Sequence, residues 1–454
     1  MVRALAQWPI HELPDALTTV DGIGRTGTDV ADVIVVGAGP AGCAAAITAA
    51  RAGLDVLLVD KAPAFPRPKA CGDALTPRAV AALSGLGLVP PPGWHKTYGM
   101  ALYGERDEPH TFDWPATSGL PTFAYTVKRS ELDGFLLDAA RQAGARVGLG
   151  VSVTGPIMER ARATGVASAT GTYRSSVVID ATGASSRLAG TAGMPRLEGR
   201  PMGVAARGYM RGSPGADERW LHSWLALAAP ADGSRRAGAG SGPRLAGYGW
   251  VFPLGDGLYN VGLGQLSTSP GFGHTDYKSM LGDWAGTLPA EWGLTWVDAA
   301  GEPVKAPAIM SAALPMGLNR AVVYRRGVLV VGDAAGLVSP FDGEGVSWGL
   351  ESGAWAGAAV VAAKAAGFGS AAAEQALQSY HKKVKAGLGR YFRAGNLFTR
   401  LMGNQALLSA CLRYGLPRRT VMRPVNKLMA NLIAPTGGPL DDRLLRLLLR
   451  MIPT

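Results

Sequence analysis

The stretch Ala31-Asp-Val-Ile-Val-Val-Gly-Ala-Gly-Pro-Ala-Gly-Cys43 decides the fold, because it reads as a buried strand running into a glycine turn and then a helix. Residues 33–36 have the length and β-branched content of a parallel-sheet strand, and Gly37, Gly39 and Gly42 fall in G-x-G-x-x-G spacing. Gly37 permits a tight turn, Gly39 lets the backbone approach a pyrophosphate, and Gly42 lets the helix pack close to the strand. Free N–H groups at the helix start then face phosphate. In a chain with 63 glycines this spacing gains weight only from its context. That context is an alanine-rich helix over 40–51, a stop at Gly53, a second strand over 55–59, and Asp60. The acid lies 18 residues beyond Gly42, where a carboxylate can bind ribose hydroxyls. Together these features predict a dinucleotide-binding βαβ unit.

Outward from this unit, 454 residues at 47% hydrophobic and 17% charged can bury a large core and predict two or three interleaved domains. No uncharged apolar run reaches the ~18 residues that span a bilayer. The longest approach, 354–363, stops at Lys364. Residues 1–30 carry Glu12, Asp15 and Asp21 instead of a basic segment followed by an apolar core, so a loosely ordered leader without a secretory signal is expected. Cys43, Cys71 and Cys411 show neither disulfide density nor C-x-x-C spacing, which suits a reducing cytoplasm.

The net charge of +11 has one location. Residues 381–454 hold 14 Lys/Arg against only Asp441 and Asp442, while the remainder of the chain is near balance. This basic tail is interleaved with Leu401, Met402, Leu407, Leu408, Leu412, Leu428, Met429, Leu432 and the apolar run around Arg446. Two readings stand side by side: basic amphipathic helices peripheral to anionic lipid at the inner membrane surface, or helices that cap the core. Nucleic acid and metal have no support, since His95, His110, His222, His274 and His381 are scattered and no paired-ligand spacing occurs.

The prolines after Asp60 preclude regular structure up to Lys69, and Thr76-Pro77 predicts an N-cap with proline at the first helical position. Cys71, close to Arg67 and Lys69 and followed by Gly72, sits where a thiolate is favoured; a buried loop cysteine is the plainer alternative. Alternation over 98–127 predicts strands, 129–143 a helix, 146–151 a strand, 154–156 a turn, and 176–184 a buried strand ending in glycine. Residues 200–315 predict a sheet-dominated domain holding six of the eleven tryptophans, with a flexible insertion at 230–244. Each tryptophan is more readily core than pocket lining. A final strand ends at Gly332-Asp333 and leads to a glycine-bracketed helix over 346–363. Asp333 can accept hydrogen bonds from a polyol, Gly343 and Gly345 let a flat ring lie on bare backbone, and the helix start supplies positive partial charge. Such a field stabilises a reduced, anionic isoalloxazine.

Four blocks carry a resemblance: Gly37-Ala-Gly-Pro-Ala-Gly42, Arg67-Pro-Lys-Ala-Cys-Gly-Asp73, Tyr248-Gly-Trp-Val-Phe-Pro253 leading to Asn260-Val-Gly-Leu-Gly264, and Gly332-Asp-Ala-Ala-Gly-Leu-Val-Ser-Pro-Phe-Asp-Gly-Glu-Gly345. Over roughly 31–400 the chain resembles the geranylgeranyl reductase family of FAD-dependent oxidoreductases, within the p-hydroxybenzoate hydroxylase superfamily. Its wording is most similar to the actinobacterial menaquinone reductases. The resemblance implies an α/β fold: a Rossmann-like FAD-binding domain (31–97, 128–199, 316–370) interleaved with a mainly antiparallel substrate domain (98–127, 200–315), then basic helices over 371–454. It implies FAD as cofactor, with NADPH or NADH as reductant. Gly37, Gly39, Pro40, Ala41, Gly42 and Asp60 are implied to hold the ADP part and Asp333 the ribityl chain, with Arg129 reaching the cofactor. Lys61, Lys69, Cys71, Gly72, Gly183, Gly332, Pro340, Gly343, Glu344, Gly345 and Val346 complete the implied cofactor set. Tyr248, Trp250, Phe252 and Pro253 are implied to face a lipid-like substrate, and Cys71 to stand near the flavin as the catalytic residue. Two departures are visible: Ala181-Thr182-Gly183 stands where the family usually has Ala-Asp-Gly, and Ala74 replaces a frequent glycine.

The expected reaction is reduction of an isolated C=C bond in an isoprenoid chain, with a hydride to one carbon, a proton to the other, and the aromatic wall stabilising positive charge at the tertiary centre. Cys71 is the expected proton source or positioner. A flavin monooxygenase that epoxidises the same kind of alkene is the main alternative, and an isoprenoid-binding escort protein without catalysis is a minor one.

Overall fold

In a computed structural model, residues 29–452 are described except 106–107, 118, 170, 213–216, 229–242 and 435. The expected leader and most of the expected 230–244 insertion lie outside the described residues. The deciding stretch forms strand Asp29–Val36, turn, and helix Pro40–Arg51, with residues 33–36 fully enclosed. The strand lies inside a sheet ordered Tyr324–Arg325, Val328–Val330, Gly171–Asp180, Asp29–Val36, Val56–Asp60, Arg146–Leu149. Every neighbouring pair in that row is parallel except the first. Register makes the site: Val36 stands opposite Val59 and Asp180, and Asp180 opposite Val330. The strands therefore end together, and Gly37, Asp60, the 181–183 turn and Gly332-Asp333 all emerge at one carboxyl edge, where open α/β sheets bind ligands.

Close packing at this edge is written in glycine. Gly37 has a φ of 108°, and a Cβ on Gly42 would sit 1.8 Å from the Gly37 carbonyl oxygen. Helix Val346–Ala365 lies across Pro40–Arg51 so tightly that a Cβ on Gly353 would come within 2.1 Å of the Ala41 carbonyl oxygen.

The second sheet sets Met202–Arg211, Leu258–Leu266, Gly247–Gly255, Trp220–Trp224, Gly99–Tyr103 and His110–Asp113 side by side. Its neighbours are antiparallel except Trp220–Trp224 with Gly99–Tyr103. The architecture is thus a Rossmann-like α/β domain with a mainly antiparallel second sheet and a helical C-terminal region. Most of the tryptophans in 200–315 build this second core: Trp224 stacks on Tyr103 at 4.1 Å and meets Trp284 and Trp292 edge-on. Helix Tyr277–Ala285, absent from the sequence reading, is capped by Asp276, which accepts from the amides of Lys278 and Ser279. The turn expected at 154–156 is instead part of strand Val153–Glu159. Among the described residues that strand pairs only with Arg162–Ser168, and such an edge position tolerates Pro156.

The basic tail folds as helices. Ala371–Met402 buries Leu377, Tyr380, Val384, Leu388 and Phe392 in the main core. Gln405–Ala410, the π-turn Cys411–Gly415, Arg419–Met429 and Leu440–Met451 follow.

Candidate active site

One cavity of about 1310 Å³ runs from the carboxyl edge of the parallel sheet, past the Cys71 loop and the second sheet, to the C-terminal helices. At the sheet edge, Asp60 takes the amides of Ala38 (2.7 Å) and Ala62 (2.8 Å) on separate carboxylate oxygens. It thereby rigidifies the glycine turn while still lining the cavity. Asp180 does similar work on the neighbouring strand, accepting from the Thr182 amide and hydroxyl, the Ser186 hydroxyl and the Ala189 amide. The Thr182 hydroxyl thus turns back onto Asp180, and the acid two residues earlier orders the loop in which the sequence lacks the usual Asp.

Cys71 stands where the two halves of the cavity meet. Gly72 abuts the aromatic wall, since a Cβ there would lie 3.4 Å from the Phe252 ring and 3.6 Å from Trp250 Nε1. Trp250 and Phe252 stack with centroids 6.0 Å apart, and the Trp250 N–H donates to Asn260 Oδ1 at 2.8 Å. The Asn260 amide in turn donates to the Cys71 carbonyl (2.8 Å) and to Asp73 Oδ2 (2.7 Å). Asp73, at a φ of 62° and 1% exposed, also accepts from Tyr209 OH at 2.8 Å and the Arg129 amide at 3.0 Å. Its own amide donates to Cys71 Sγ at 3.4 Å. Burial raises the Asp73 carboxyl above its usual range, against the pull of Arg207, Asn260 and Tyr209.

Arg129 forks onto Asp133, with Nε and Nη2 donating to Oδ1 at 3.0 and 2.8 Å, and Arg67 reaches the same carboxylate at 3.4 Å. Burial works against the Arg129 charge, but Asp133 and Cys71 outweigh it and hold the guanidinium firmly protonated. The Cys71 thiol is raised by burial and by Asp73, while Arg129 pulls the other way, so the group is a neutral thiol near neutral pH. This corrects the expectation of a favoured thiolate: Arg129 is beside the sulfur, but its charge is shared with Asp133 and opposed by burial.

Most of the expected site residues meet in this cavity. Gly37, Gly39, Pro40, Ala41, Asp60, Lys61, Lys69, Cys71, Gly72, Arg129, Gly183, Gly332, Asp333, Pro340, Gly343, Gly345, Val346, Tyr248, Trp250 and Phe252 line it. Three do not. Gly42 is packed against the Gly37 carbonyl, in keeping with the packing role its position predicts. The Pro253 carbonyl accepts from the Thr126 hydroxyl behind the wall. Glu344 folds back onto the amide (2.7 Å) and hydroxyl (2.5 Å) of Ser347, capping helix Val346–Ala365. Burial and the nearby Asp342 push its carboxyl up to about 7. Tyr248 adds a tie across the cavity, donating to the Asp342 carbonyl at 2.6 Å.

The sequence reading missed the tail's part in the site: Leu408, Leu412, Leu416, Met422, Val425 and Met429 form the apolar end of the cavity. Their three- and four-residue spacing was the available signal, though it could not say which surface they faced. Arg207 was missed as well. It donates to the Lys69 carbonyl at 2.8 Å, lies over the Tyr209 ring at 4.3 Å, and bears on the cavity.

The polar end fits FAD. Helix Pro40–Arg51 begins without a side-chain cap, so its first amides face the cavity edge free for a phosphate. The Nε atoms of Arg67 and Arg207, both on cavity-lining residues, are buried without a partner. Asp333 lies on the wall beside Gly345, whose Cβ would approach its carboxylate within 3.2 Å.

Comparison with known proteins agrees. The family described as FAD dependent oxidoreductase matches residues 32–210. The menaquinone reductase of Mycobacterium tuberculosis is 40% identical over 335 residues, covering 72% of this chain and 75% of that protein. The chain belongs to the geranylgeranyl reductase family of FAD-dependent oxidoreductases. A further member, digeranylgeranylglycerophospholipid reductase 1 of Methanothermobacter thermautotrophicus, is 32% identical over 74% of this chain and 78% of its own length. Among solved structures, a geranylgeranyl bacteriochlorophyll reductase-like protein from Thermoplasma acidophilum superposes with a TM-score of 0.74 at 23% identity, covering 93% of this chain and all of that one. The flavin-dependent brominase Bmp2 superposes at 0.67 with 18% identity over 93% and 98% of the two chains, a likeness of fold alone. In this chain the cysteine loop, the aromatic wall and both glycine regions line one cavity.

Proposed function

We propose that the protein reduces an isolated C=C bond in the isoprenoid chain of a lipid-like substrate such as a prenylated quinone. One observation carries the reading: the cavity joins an FAD-fitting cleft to an apolar end, and the Cys71 loop lines it beside Trp250 and Phe252. The relatives named for menaquinone and for digeranylgeranyl lipid give the substrate class its support.

FAD, when bound and reduced, supplies the hydride. The glycine turn, Asp60, Arg67 and Asp333 are assigned to hold it. Trp250 and Phe252 present ring faces to the alkene, and in a dry site such a face stabilises positive charge by about 1–2 kcal/mol. Cys71 donates the proton to the other carbon and recovers it from water, while Arg129 steadies the thiolate in between. The Asp73–Asn260 network holds the sulfur against the wall. The two electrons consumed per alkene are assigned to NADPH or NADH. The free cysteines 43, 71 and 411 fit a reducing, cytoplasmic setting, and the basic tail over 381–454 supports peripheral contact with the inner membrane surface.

The test is a single turnover of chemically reduced holoenzyme with a prenylated quinone, without air, read by mass spectrometry. A gain of two hydrogens is expected, and Cys71→Ala should slow it by about two orders of magnitude. A product that forms only in air and gains oxygen would replace this reading with epoxidation. A full rate in Cys71→Ala would remove the proton role from the thiol.

A further inference from the structure

Ten of the fourteen large apolar side chains exposed among the described residues lie between Leu397 and Met451. The terminal helix Leu440–Met451 shows the pattern most plainly. Leu440, Leu444, Leu447, Leu448 and Met451 recur at the spacing of one helical face, and each is more than half exposed. The opposite face bears Asp442 and Leu445, which are buried. The helix is thus inverted relative to an ordinary surface helix, with its polar anchor inward and its leucines outward. The anchor is specific: Lys427 Nζ, 1% exposed, contacts Asp442 Oδ1 at 2.9 Å and Asp441 Oδ2 at 3.0 Å. A buried ion pair of this kind contributes little net stability but fixes one arrangement. The outward leucines therefore belong to the folded state.

Charge identifies what covers them. Arg443 and Arg450 flank the leucine stripe, and Arg413, Arg418, Arg419 and Arg423 are exposed on the preceding segments. Both tail carboxylates, Asp441 and Asp442, are engaged by Lys427. An apolar stripe bordered by arginines matches the interface of an anionic bilayer, where leucines enter the acyl boundary and guanidinium groups meet lipid phosphates. The cavity opens among the tail helices, because Cys411 and Val421 both line it and are exposed, with Leu407 and Tyr414 exposed near them in sequence.

We infer that the helices over 405–451 form an in-plane docking surface for an anionic phospholipid bilayer, and that the opening at Cys411 and Val421 admits the isoprenoid tail from that bilayer. The docking part stands alone; the portal part rests on the proposed lipid substrate.

Cosedimentation of the FAD-loaded full chain with vesicles tests it. One set is phosphatidylcholine, the other phosphatidylcholine with phosphatidylglycerol. Binding to the anionic vesicles is expected, with loss at 1 M salt, where the screening length falls to about 3 Å. L444S/L447S/L448S should weaken binding by at least about tenfold. The variant should keep its FAD content and its rate on a short-chain, detergent-dispersed substrate, while turnover of substrate embedded in vesicles falls with binding. Equal binding of wild type and variant, or no binding by wild type, overturns docking whether or not the alkene is reduced. Vesicle binding that is lost in the variant without any change on embedded substrate overturns the portal. A wild-type dimer in sedimentation that the triple substitution dissolves, without vesicle binding, assigns the face to a second copy of the chain and overturns the inference.

Discussion

Replacing Asp73 by asparagine separates the two tasks this residue performs, which are holding the cysteine loop and setting the proton affinity of Cys71. In the native site the carboxylate takes three donors: the Arg129 amide, Tyr209 OH and the Asn260 amide. Asparagine can keep its oxygen toward Arg129, but its NH2 then meets the Asn260 NH2, donor against donor. One buried donor left unpaired costs about 1–3 kcal/mol. Removing a charge that burial disfavours offsets part of this, so urea unfolding should show a net loss of about 1–2 kcal/mol in Asp73→Asn. Asp73→Ala, which leaves all three donors unmet, should lose about 3–5 kcal/mol. The second readout is alkylation of Cys71 against pH in a Cys411→Ser background, since Cys43 is fully buried. Asp73 is one of the groups holding the proton on Cys71, and Arg129 opposes it. The alkylation profile of Asp73→Asn should therefore move to lower pH. A profile that stays in place while stability falls would refute the electrostatic role and leave Asp73 a purely structural anchor.

Gly42→Ala should abolish FAD retention and destabilise the fold by about 3 kcal/mol, because the added methyl has to push the helix off the Gly37 carbonyl. Full flavin absorbance with an unchanged melting temperature would count against the packing assigned to Gly42. Stability should also fall as pH rises from about 4.5 to about 7, because the folded protein holds the Glu344 proton to about 7 while the unfolded chain releases it near the ordinary glutamate value. Partial exposure limits the effect to about 1–3 kcal/mol, and Glu344→Gln should flatten that part of the curve. A variant whose pH dependence matches wild type would show that Glu344 is ionised across the range.

The sheet edge was legible because its signals are local. The turn glycines, the acid at 60 and the strand ending at Gly332-Asp333 each carry a backbone or charge requirement within a few residues, and parallel register then brings them together. The Glu344 side chain turns onto Ser347 instead of the cavity, although its signals are equally local. Its neighbours mark a ligand-facing loop, but a carboxylate three residues before Ser347 is also placed to cap the helix, and the cap wins. Asp73 and Asn260 stood in quoted motifs and Arg207 in the predicted second sheet, yet the cysteine loop meets Arg207, Tyr209 and Asn260 across more than a hundred residues of sequence, which no spacing rule connects. The tail posed a different difficulty. Its amphipathicity allowed either core or lipid, and the folded chain divides its apolar residues: Met422, Val425 and Met429 line the cavity, while Leu444, Leu447 and Leu448 face outward.

The geometry around Cys71 also bears on reduction against oxygenation. Protonating one carbon of an unactivated alkene requires a group that keeps its proton until charge develops on the substrate, and then tolerates the charge it acquires. A thiol beside an isolated guanidinium would ionise too early, and a thiol in apolar surroundings alone would yield its proton too reluctantly. Here burial and Asp73 hold the proton, while Arg129, clamped by Asp133, waits beside the sulfur to stabilise the thiolate once it forms. Oxygen transfer from a flavin hydroperoxide delivers no proton to the alkene carbon, so it makes no use of an acid held against the substrate. The opposing charges on the two sides of Cys71 are consistent with the proposed reduction, whose support comes from the reductase relatives and the joined cavity.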